Sequence, residues 1–307
     1  MSVSRSVNVR TCQLDESLDR PGFHHRAASI GQRIGAGRIG AAVYEAAADR
    51  PIWPYHYHHA FEEWMYVISG APVLRDGGGE RALERGDLVS FPAGQRGAHT
   101  VRGPGRFIVF STDAPGPYIA VYPDSDKLAV ATGEAGVLIL PRGAAVDYWH
   151  GEGGGGPSDP VDVPREPATP SPPLVNARTV ALDGRSRLSL TPDLAAEQLD
   201  ATVRELDPGQ DSGEYQYAYG GEEWALVLAG RPTLRHPEGE DTLQVDDLVC
   251  FPEGPAGAHQ LISRENHAAR VLCISTTGRP LNVCYPDSGS WSVRNGPDDS
   301  ELVLVPR

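Results

Sequence analysis

Three histidines and one glutamate are the residues of this chain best suited to chemistry. His56 and His58 are two positions apart, so in an extended segment both imidazoles lie on the same face. A short connection after His58 would bring Glu63 to the beginning of the next strand, beside the two imidazoles. Two imidazoles and a carboxylate that converge on one point are a typical ligand set for a divalent transition metal.

A fourth ligand is available further along the chain. Turn-forming Gly, Asp and Pro residues flank the apolar run 87–91 on both sides. The hairpin that they predict returns His99 to the sheet that carries the other two histidines. The predicted metal ligands are therefore His56, His58, Glu63 and His99.

Two neighbouring residues compete for these roles. Glu62 would supply the carboxylate if the gap after His58 were one residue shorter. Glu63 is favoured as the ligand, because six residues separate it from Gly70, as the spacing of the motif requires. His59 should point away from the other two histidines by strand alternation, so we expect it not to be a ligand.

The spacing of these residues resembles the two motifs that mark the cupin superfamily. The first motif, Gly-x5-His-x-His-x3,4-Glu-x6-Gly, corresponds here to His56-x-His58-x4-Glu63-x6-Gly70. The second motif, Gly-x5-Pro-x-Gly-x2-His-x3-Asn, corresponds to Gly86-x5-Pro92-x-Gly94-x4-His99. The resemblance covers most of residues 40–125 and implies a jelly-roll barrel, also called a double-stranded β-helix, that holds a metal.

The match to these motifs departs from the family pattern at three points. Arg50 stands where the first motif begins with glycine, two extra residues separate Gly94 from His99, and Gly103 stands where the second motif has asparagine. The resemblance predicts fold and metal rather than reaction, because cupins include dioxygenases, decarboxylases, isomerases, epimerases and non-catalytic binders.

The chain repeats itself at an offset of 160 residues, which indicates a duplicated domain. Glu62-Glu63-Trp64 returns as Glu222-Glu223-Trp224, Phe91-Pro92 as Phe251-Pro252, and Gly97-Ala98-His99 as Gly257-Ala258-His259. Tyr122-Pro123-Asp124-Ser125 returns as Tyr285-Pro286-Asp287-Ser288 after a small insertion. The chain thus resembles a bicupin.

The two copies differ at the predicted ligands. His56 becomes Gln216 and His58 becomes Ala218, whereas the second glutamate and the last histidine are kept as Glu223 and His259. One carboxylate and one imidazole make a poor metal site, so we expect one metal per chain. The second copy should keep the fold in a structural role, or provide a metal-free ligand pocket.

The predicted fold class is all-β, with two tandem cupin barrels. Strands are expected near residues 6–14 and at 39–46, 63–75, 87–91, 99–101, 106–112 and 136–142. Residues 151–173 are rich in Gly and Pro and predict a linker. The predicted domains are an N-terminal barrel with the metal site at 1–150, this linker, and a degenerate C-terminal barrel at 174–307. We expect the two barrels to pack against each other.

Composition excludes several classes of partner. The 307 residues carry a net charge of −14, which argues against a nucleic-acid partner, because phosphate binding needs basic patches. No apolar run has signal-peptide or membrane-span length. The four cysteines have no close pairing, and three occupy apolar contexts, so a reducing cytoplasm is expected. Association of the chain with itself is left open.

A site of three histidines and one glutamate leaves coordination positions free for water, O2 or a chelating substrate. We expect a dioxygenase-type enzyme that uses Fe and acts on a small organic substrate. Mn, Ni, Cu and Zn also suit imidazole-rich sites. A redox-neutral isomerase or decarboxylase and a non-catalytic small-molecule binder are the alternatives. Arg75, Met65, Val67 and Phe107 are candidate pocket residues, although core packing is expected for the apolar three.

Overall fold

The computed structural model describes residues 6–47, 49–112, 118–131, 136–146, 167, 169–278, 280–294 and 301–304. The described part is built of strands joined by turns, with only short 3-10 segments besides them. The strands of the first half are β1 (Ser6–Asn8), β2 (Glu16–Arg20), β3 (Phe23–Ser29), β4 (Ile39–Ala46), β5 (Tyr57–His58), β6 (Glu63–Gly70), β7 (Val73–Asp76), β8 (Gly79–Ala82), β9 (Asp87–Phe91), β10 (His99–Arg102), β11 (Gly105–Thr112), β12 (Tyr118–Tyr122), β13 (Lys127–Ala131) and β14 (Val137–Pro141).

The second half repeats this order of strands. They are β15 (Leu174–Asn176), β16 (Arg187–Ser189), β17 (Leu199–Leu206), β18 (Tyr217–Tyr219), β19 (Glu223–Ala229), β20 (Thr233–His236), β21 (Gly239–Thr242), β22 (Asp247–Phe251), β23 (Gln260–Ile262), β24 (Ala269–Thr276), β25 (Leu281–Tyr285), β26 (Ser290–Arg294) and β27 (Glu301–Leu304). The all-β prediction with two barrels is confirmed.

Each half folds into one large antiparallel sheet and two small ones. In the first half the large sheet has the order β15-β9-β6-β11-β4-β3-β2, and the small sheets are β10-β7-β8 and β14-β13-β12-β5. In the second half the large sheet is β1-β22-β19-β24-β17-β16, with β21-β20-β23 and β18-β25-β26-β27 beside it. The two copies therefore place equivalent strands at equivalent positions.

The two halves exchange their first strands. β1 pairs with β22 of the second half, and β15 pairs with β9 of the first half. The strand expected near residues 6–14 is thus shorter than predicted, and it belongs to the sheet of the other half. Its length is limited because Thr11 and Cys12 bond back to Asn8 in a turn instead of continuing the ladder. The domain limits 1–150 and 174–307 stay predictions.

The predicted linker lies mostly outside the described residues, which resume at 167 and 169. Its last residues run along the first barrel: Ser171 Oγ donates to Asp76 Oδ1 at 2.9 Å, and Arg81 Nη2 donates to the Pro172 carbonyl at 2.8 Å. The backbone N–H of Ser90 donates to the Pro173 carbonyl at 3.1 Å. This end of the segment is therefore attached to the first barrel.

Strand alternation assigns the residues of one strand to different core clusters. In β6, Trp64, Tyr66 and Ile68 join a cluster that includes Trp224 and Leu226 of the second half. The intervening residues of the same strand, such as Met65 and Val67, pack inside the first barrel, and an equivalent cluster fills the second. The predicted packing of the two barrels against each other is confirmed by the shared cluster.

The backbone conformation explains why the last residue of β6 is glycine. Gly70 has φ 84°, and a Cβ there would lie 2.7 Å from the Pro104 carbonyl oxygen. Its counterpart Gly230 has φ 74° and would approach Ala268 in the same way. Only glycine adopts this conformation beside a packed backbone at little cost, which explains its return in both copies.

Candidate metal centre

Short backbone contacts hold the predicted ligands at one end of the first barrel. His56 and His99 form an isolated antiparallel bridge, in which each residue's N–H donates to the other's carbonyl at 3.1 and 2.9 Å. His58 ends β5, which pairs with β12. Glu63 begins β6, and its inward direction follows from alternation with Trp64, which faces the other half.

The side chains of these four residues converge. Ligand atoms of His56, His58 and Glu63 all lie within 4.8 Å of one another. Glu63 Oε2 is 3.4 Å from His58 Nε2 and 3.9 Å from His99 Nε2. The ring centroids of His56 and His99 are 5.0 Å apart. The group of mutually close ligand atoms thus contains His56, His58 and Glu63, and His99 lies beside it, with its Nε2 facing the carboxylate of Glu63.

Backbone carbonyls orient two of the imidazoles. His56 Nδ1 lies 3.0 Å from the Pro54 carbonyl, and His99 Nδ1 lies 2.8 Å from the Gly97 carbonyl. A carbonyl accepts only from a protonated nitrogen, so each Nε2 keeps a free lone pair directed at the site. His99 Nε2 is buried without a hydrogen-bond partner. A buried imidazole nitrogen that faces a carboxylate and has no hydrogen-bond partner is suited to bind a metal ion.

Burial sets the protonation of these side chains in the metal-free chain. It lowers the pKa of His56 to about 4 and that of His58 to about 3, where the neighbouring His56 lowers it further. The pKa of His99 is lowered well below its ordinary value for the same reason. Burial raises the pKa of Glu63 to about 8. The imidazoles are thus neutral, as metal ligation requires, and a dication would favour the carboxylate form of Glu63.

Aromatic rings fix the imidazoles from outside the ligand set. Phe91 stacks on His99 with centroids 3.7 Å apart, and Phe61 stacks on His58 at 4.2 Å. Trp53 meets the edges of His56 and His99 at 5.9 and 5.8 Å. The sequence analysis did not assign these rings to the site. The repeat of Phe91 as Phe251, which stacks on His259 at 3.7 Å, was the available signal.

The competing residues serve other purposes. Glu62 is buried against the second half, where its carboxylate accepts from the backbone N–H groups of Glu197 at 2.9 Å and Gln198 at 2.7 Å. It also accepts from the indole N–H of Trp64. His59 is exposed on the surface. Both residues thus lie outside the convergent group, as the spacing and alternation predicted.

The four candidate pocket residues have structural roles. Met65, Val67 and Phe107 are fully buried in the interior core of the first barrel. Arg75 forms an ion pair with Asp124 at 2.5 Å and lies over the ring of Tyr55 at 4.3 Å. Arg235, Asp287 and Tyr215 repeat this arrangement in the second half, which indicates a structural role.

The equivalent position in the second half holds fewer donors. His259 Nε2 lies 3.5 Å from Glu223 Oε2, and Gln216 bridges His259 through the backbone. Ala218 is buried where His58 stands in the first copy. Within the described ranges, His56, His58 and Glu63 form the one group of at least three histidine, cysteine or acidic donors at metal-binding distances.

A cavity of about 320 Å³ opens beside the site of the first half. Phe61 and Tyr118, which both contact the ring of His58, line it together with Ser111, the β-partner of Glu63. Residues 36–41 also line the cavity. The cavity adjoins the candidate site through Phe61, Tyr118 and Ser111, but none of the four candidate ligands lines it.

All four cysteines are free, and Cys250 and Cys284 are buried. Cys250, Cys273 and Cys284 lie on strands, as their apolar contexts predicted. Across the described segments, no helix has the length and hydrophobicity that a membrane crossing requires.

Comparison with known proteins supports the architecture. Residues 45–111, which contain all four convergent side chains, match the cupin domain family. A Cupin 2 conserved barrel domain protein from Leptotrichia buccalis superposes with a TM-score of 0.51 and 11% identity, over 90% of this chain and 98% of that one. At that identity the similarity shows the fold alone. No curated protein sequence matches the chain.

Two further structures are similar at TM-scores below 0.5, which do not extend to function. Oxalate decarboxylase from Bacillus subtilis has a TM-score of 0.48 and 14% identity, over 89% of this chain and 76% of that one. A sugar phosphate isomerase of the cupin superfamily from Silicibacter pomeroyi has a TM-score of 0.38 and 25% identity, over 42% of this chain and 80% of that one.

Proposed function

We propose that the chain, which has the two-barrel cupin fold and matches the cupin domain family over residues 45–111, is a metal-dependent enzyme that acts on a small organic substrate in its first barrel. This proposal is supported by the neutral imidazoles that lie close to the carboxylate of Glu63, two of which are oriented by backbone carbonyls. His56, His58, Glu63 and His99 would hold one divalent transition metal per chain.

The charge of the site favours an anionic substrate. Three neutral imidazoles and one carboxylate leave a dication with a net charge of about +1. A carboxylate or enolate that offers two oxygens would neutralise this charge in a buried position, where an unpaired charge is costly. The substrate class that we propose is a small organic anion or an oxygenated aromatic compound.

The proposed reaction class is dioxygenation with Fe(II). Iron at this site would supply O2 activation beside a chelating substrate. The residues of the chain would position the metal ligands, because the carbonyls of Pro54 and Gly97 orient two of the imidazoles. Phe61 and Tyr118, whose rings contact each other, line the cavity on the side of His58.

Oxygen uptake tests the reaction class. Protein loaded with Fe(II) and offered a panel of small hydroxy acids and catechol-type aromatics should consume O2 with at least one of them, and His56→Ala should stop the uptake. His59→Ala is the matched control, because it removes an exposed neighbouring imidazole, and should keep the wild-type rate. Conversion of a substrate without O2, with Zn or Mn as effective as Fe, would replace dioxygenation by redox-neutral isomerisation or decarboxylation.

A further inference from the structure

The two barrels carry a cavity at the same place in the fold, but the two cavities differ in size. The second has a volume of about 500 Å³, against about 320 Å³ in the first. Ser275 pairs with Glu223 there as Ser111 pairs with Glu63 in the first barrel. Gly221 stands where Phe61 covers His58, so the ring that narrows the first cavity has no counterpart in the second.

Two arginines face each other in the wall of the second cavity. Arg187 of β16 is the direct cross-strand neighbour of Arg204 of β17, and both line the cavity. Tyr44 occupies the position of Arg204 in the first copy. Among the described residues, neither arginine forms an ion pair with a carboxylate. Like charges directly opposite each other on a sheet are destabilising. An anion between the two guanidinium groups would remove this repulsion.

Further polar groups surround the arginines. Ser189 and Thr202, the next cross-strand pair on the same face, also line the cavity. Arg204 is anchored at one nitrogen, since its Nη1 donates to the Ser212 carbonyl at 3.0 Å, and its guanidinium also contacts the thiol of Cys273, which lines the same cavity. Asp200 and Glu223 supply carboxylates to the lining that would accept from hydroxyl groups.

We propose that the second barrel is a metal-free binding site for a small hydroxylated organic anion. The carboxylate or phosphate of the ligand lies between Arg187 and Arg204, and its hydroxyl groups reach Ser189, Thr202 and the acidic side. This site does not depend on the metal of the first barrel, because Gln216 and Ala218 replace two ligands here. The second copy thus lacks two of the imidazoles, and it carries guanidinium groups at Arg187 and Arg204, where the first copy has Ala27 and Tyr44.

Calorimetric titration of the metal-depleted full chain tests the site. The probes are inorganic phosphate, malonate and gluconate, which present a phosphate, a dicarboxylate and a hydroxylated carboxylate. At least one should bind saturably with one site per chain. Arg204→Gln and Arg187→Gln should each weaken this binding about tenfold or more, as the loss of a charge-assisted contact does. Gly221→Phe should abolish it by restoring the ring of the first copy.

Two controls separate this site from other causes. Arg264→Gln removes an exposed arginine of the same barrel that pairs with Glu240, and His58→Ala disables only the first-barrel site; both should bind the probe as wild type does. Arg187 is exposed at the rim, so its variant should fold even if Arg204→Gln does not. The proposal is wrong if no probe saturates, if Arg187→Gln and Gly221→Phe both bind normally, or if Arg264→Gln weakens binding equally.

Discussion

Glu62 and Glu63 are neighbours in the chain that point in opposite directions. Glu63 lies inside the barrel with the three imidazoles, whereas Glu62 lies between the barrels and accepts backbone N–H groups of the second half. The spacing to Gly70 predicted that Glu63, and not Glu62, is the candidate ligand. It did not predict what Glu62 binds, because its partners lie about 135 residues further along the chain.

The site histidines should make the metal-free chain sensitive to acid. Unfolded imidazoles titrate near 6.5, whereas burial holds the pKa of His56 at about 4 and that of His58 at about 3. Their neutral forms therefore contribute stability above pH 6.5 that is lost as the pH falls toward 3–4. Each imidazole adds up to about 1.4 kcal/mol per pH unit to the slope of unfolding free energy against pH.

Denaturant unfolding of metal-free protein between pH 7 and pH 4.5 measures this slope. His58→Ala should reduce this slope by up to about 1.4 kcal/mol per pH unit, because the unfolded variant has one fewer imidazole to protonate. The exposed His59→Ala variant serves as the comparison and should keep the wild-type slope. An unchanged slope in His58→Ala would contradict the buried, neutral state of this ring.

At the scale of elements, local pattern predicted the strands that form barrel walls. The predicted strands 39–46 and 87–91 have the observed limits, and the run predicted at 63–75 is divided by Gly70 into β6 and β7. The sequence predicted less well which strands pair with each other. The exchange of β1 and β15 between halves depends on contacts far apart in sequence, which no local period encodes.

The exchanged strands did leave a sequence signal that the offset of 160 conceals. Val7-Asn8-Val9-Arg10-Thr11 corresponds to Val175-Asn176-Ala177-Arg178-Thr179 at an offset of 168. Asn8 Nδ2 donates to Asp247 at 2.8 Å, and Asn176 Nδ2 donates to Asp87 at 3.0 Å. The repeated asparagine thus marks the same contact with the opposite barrel in both copies.

The loops on which the two barrels meet are clamped by the repeated Glu62 and Glu222. Glu222 accepts from the backbone N–H groups of Gly37 at 2.6 Å and Ile39 at 3.0 Å, in the wall of the first cavity. Glu62 does the same for Glu197 and Gln198, which precede β17. Each barrel therefore fixes a loop of its neighbour with a buried carboxylate.

Replacement of this carboxylate should destabilise the whole chain. Glu62→Gln introduces an amide that cannot accept from all of its donors, and should cost about 2–4 kcal/mol of unfolding free energy. Guanidinium unfolding of the metal-free variant measures the loss. Glu197→Gln, whose exposed side chain pairs with Arg96, should change stability by less than about 1 kcal/mol. Equal effects of the two substitutions would contradict the clamp.

At the scale of the molecule, one shared core joins two barrels whose candidate sites carry different side chains. Trp64 and Trp224 lie in the same cluster between the halves, so each barrel buries the face that the other leaves apolar. The first barrel keeps the imidazoles of the metal motif. The second keeps the glutamate, the histidine and the stacked phenylalanine, but loses two ligands and widens its cavity.

Elemental analysis after purification without added metal tests this asymmetry most directly. We expect about one transition metal per chain in wild type and in His259→Ala, and almost none in His58→Ala. Circular dichroism should show the barrels folded in all three proteins, because these histidines lie outside the apolar clusters. Two metals per chain, or equal loss of metal from His58→Ala and His259→Ala, would contradict a single site in the first barrel.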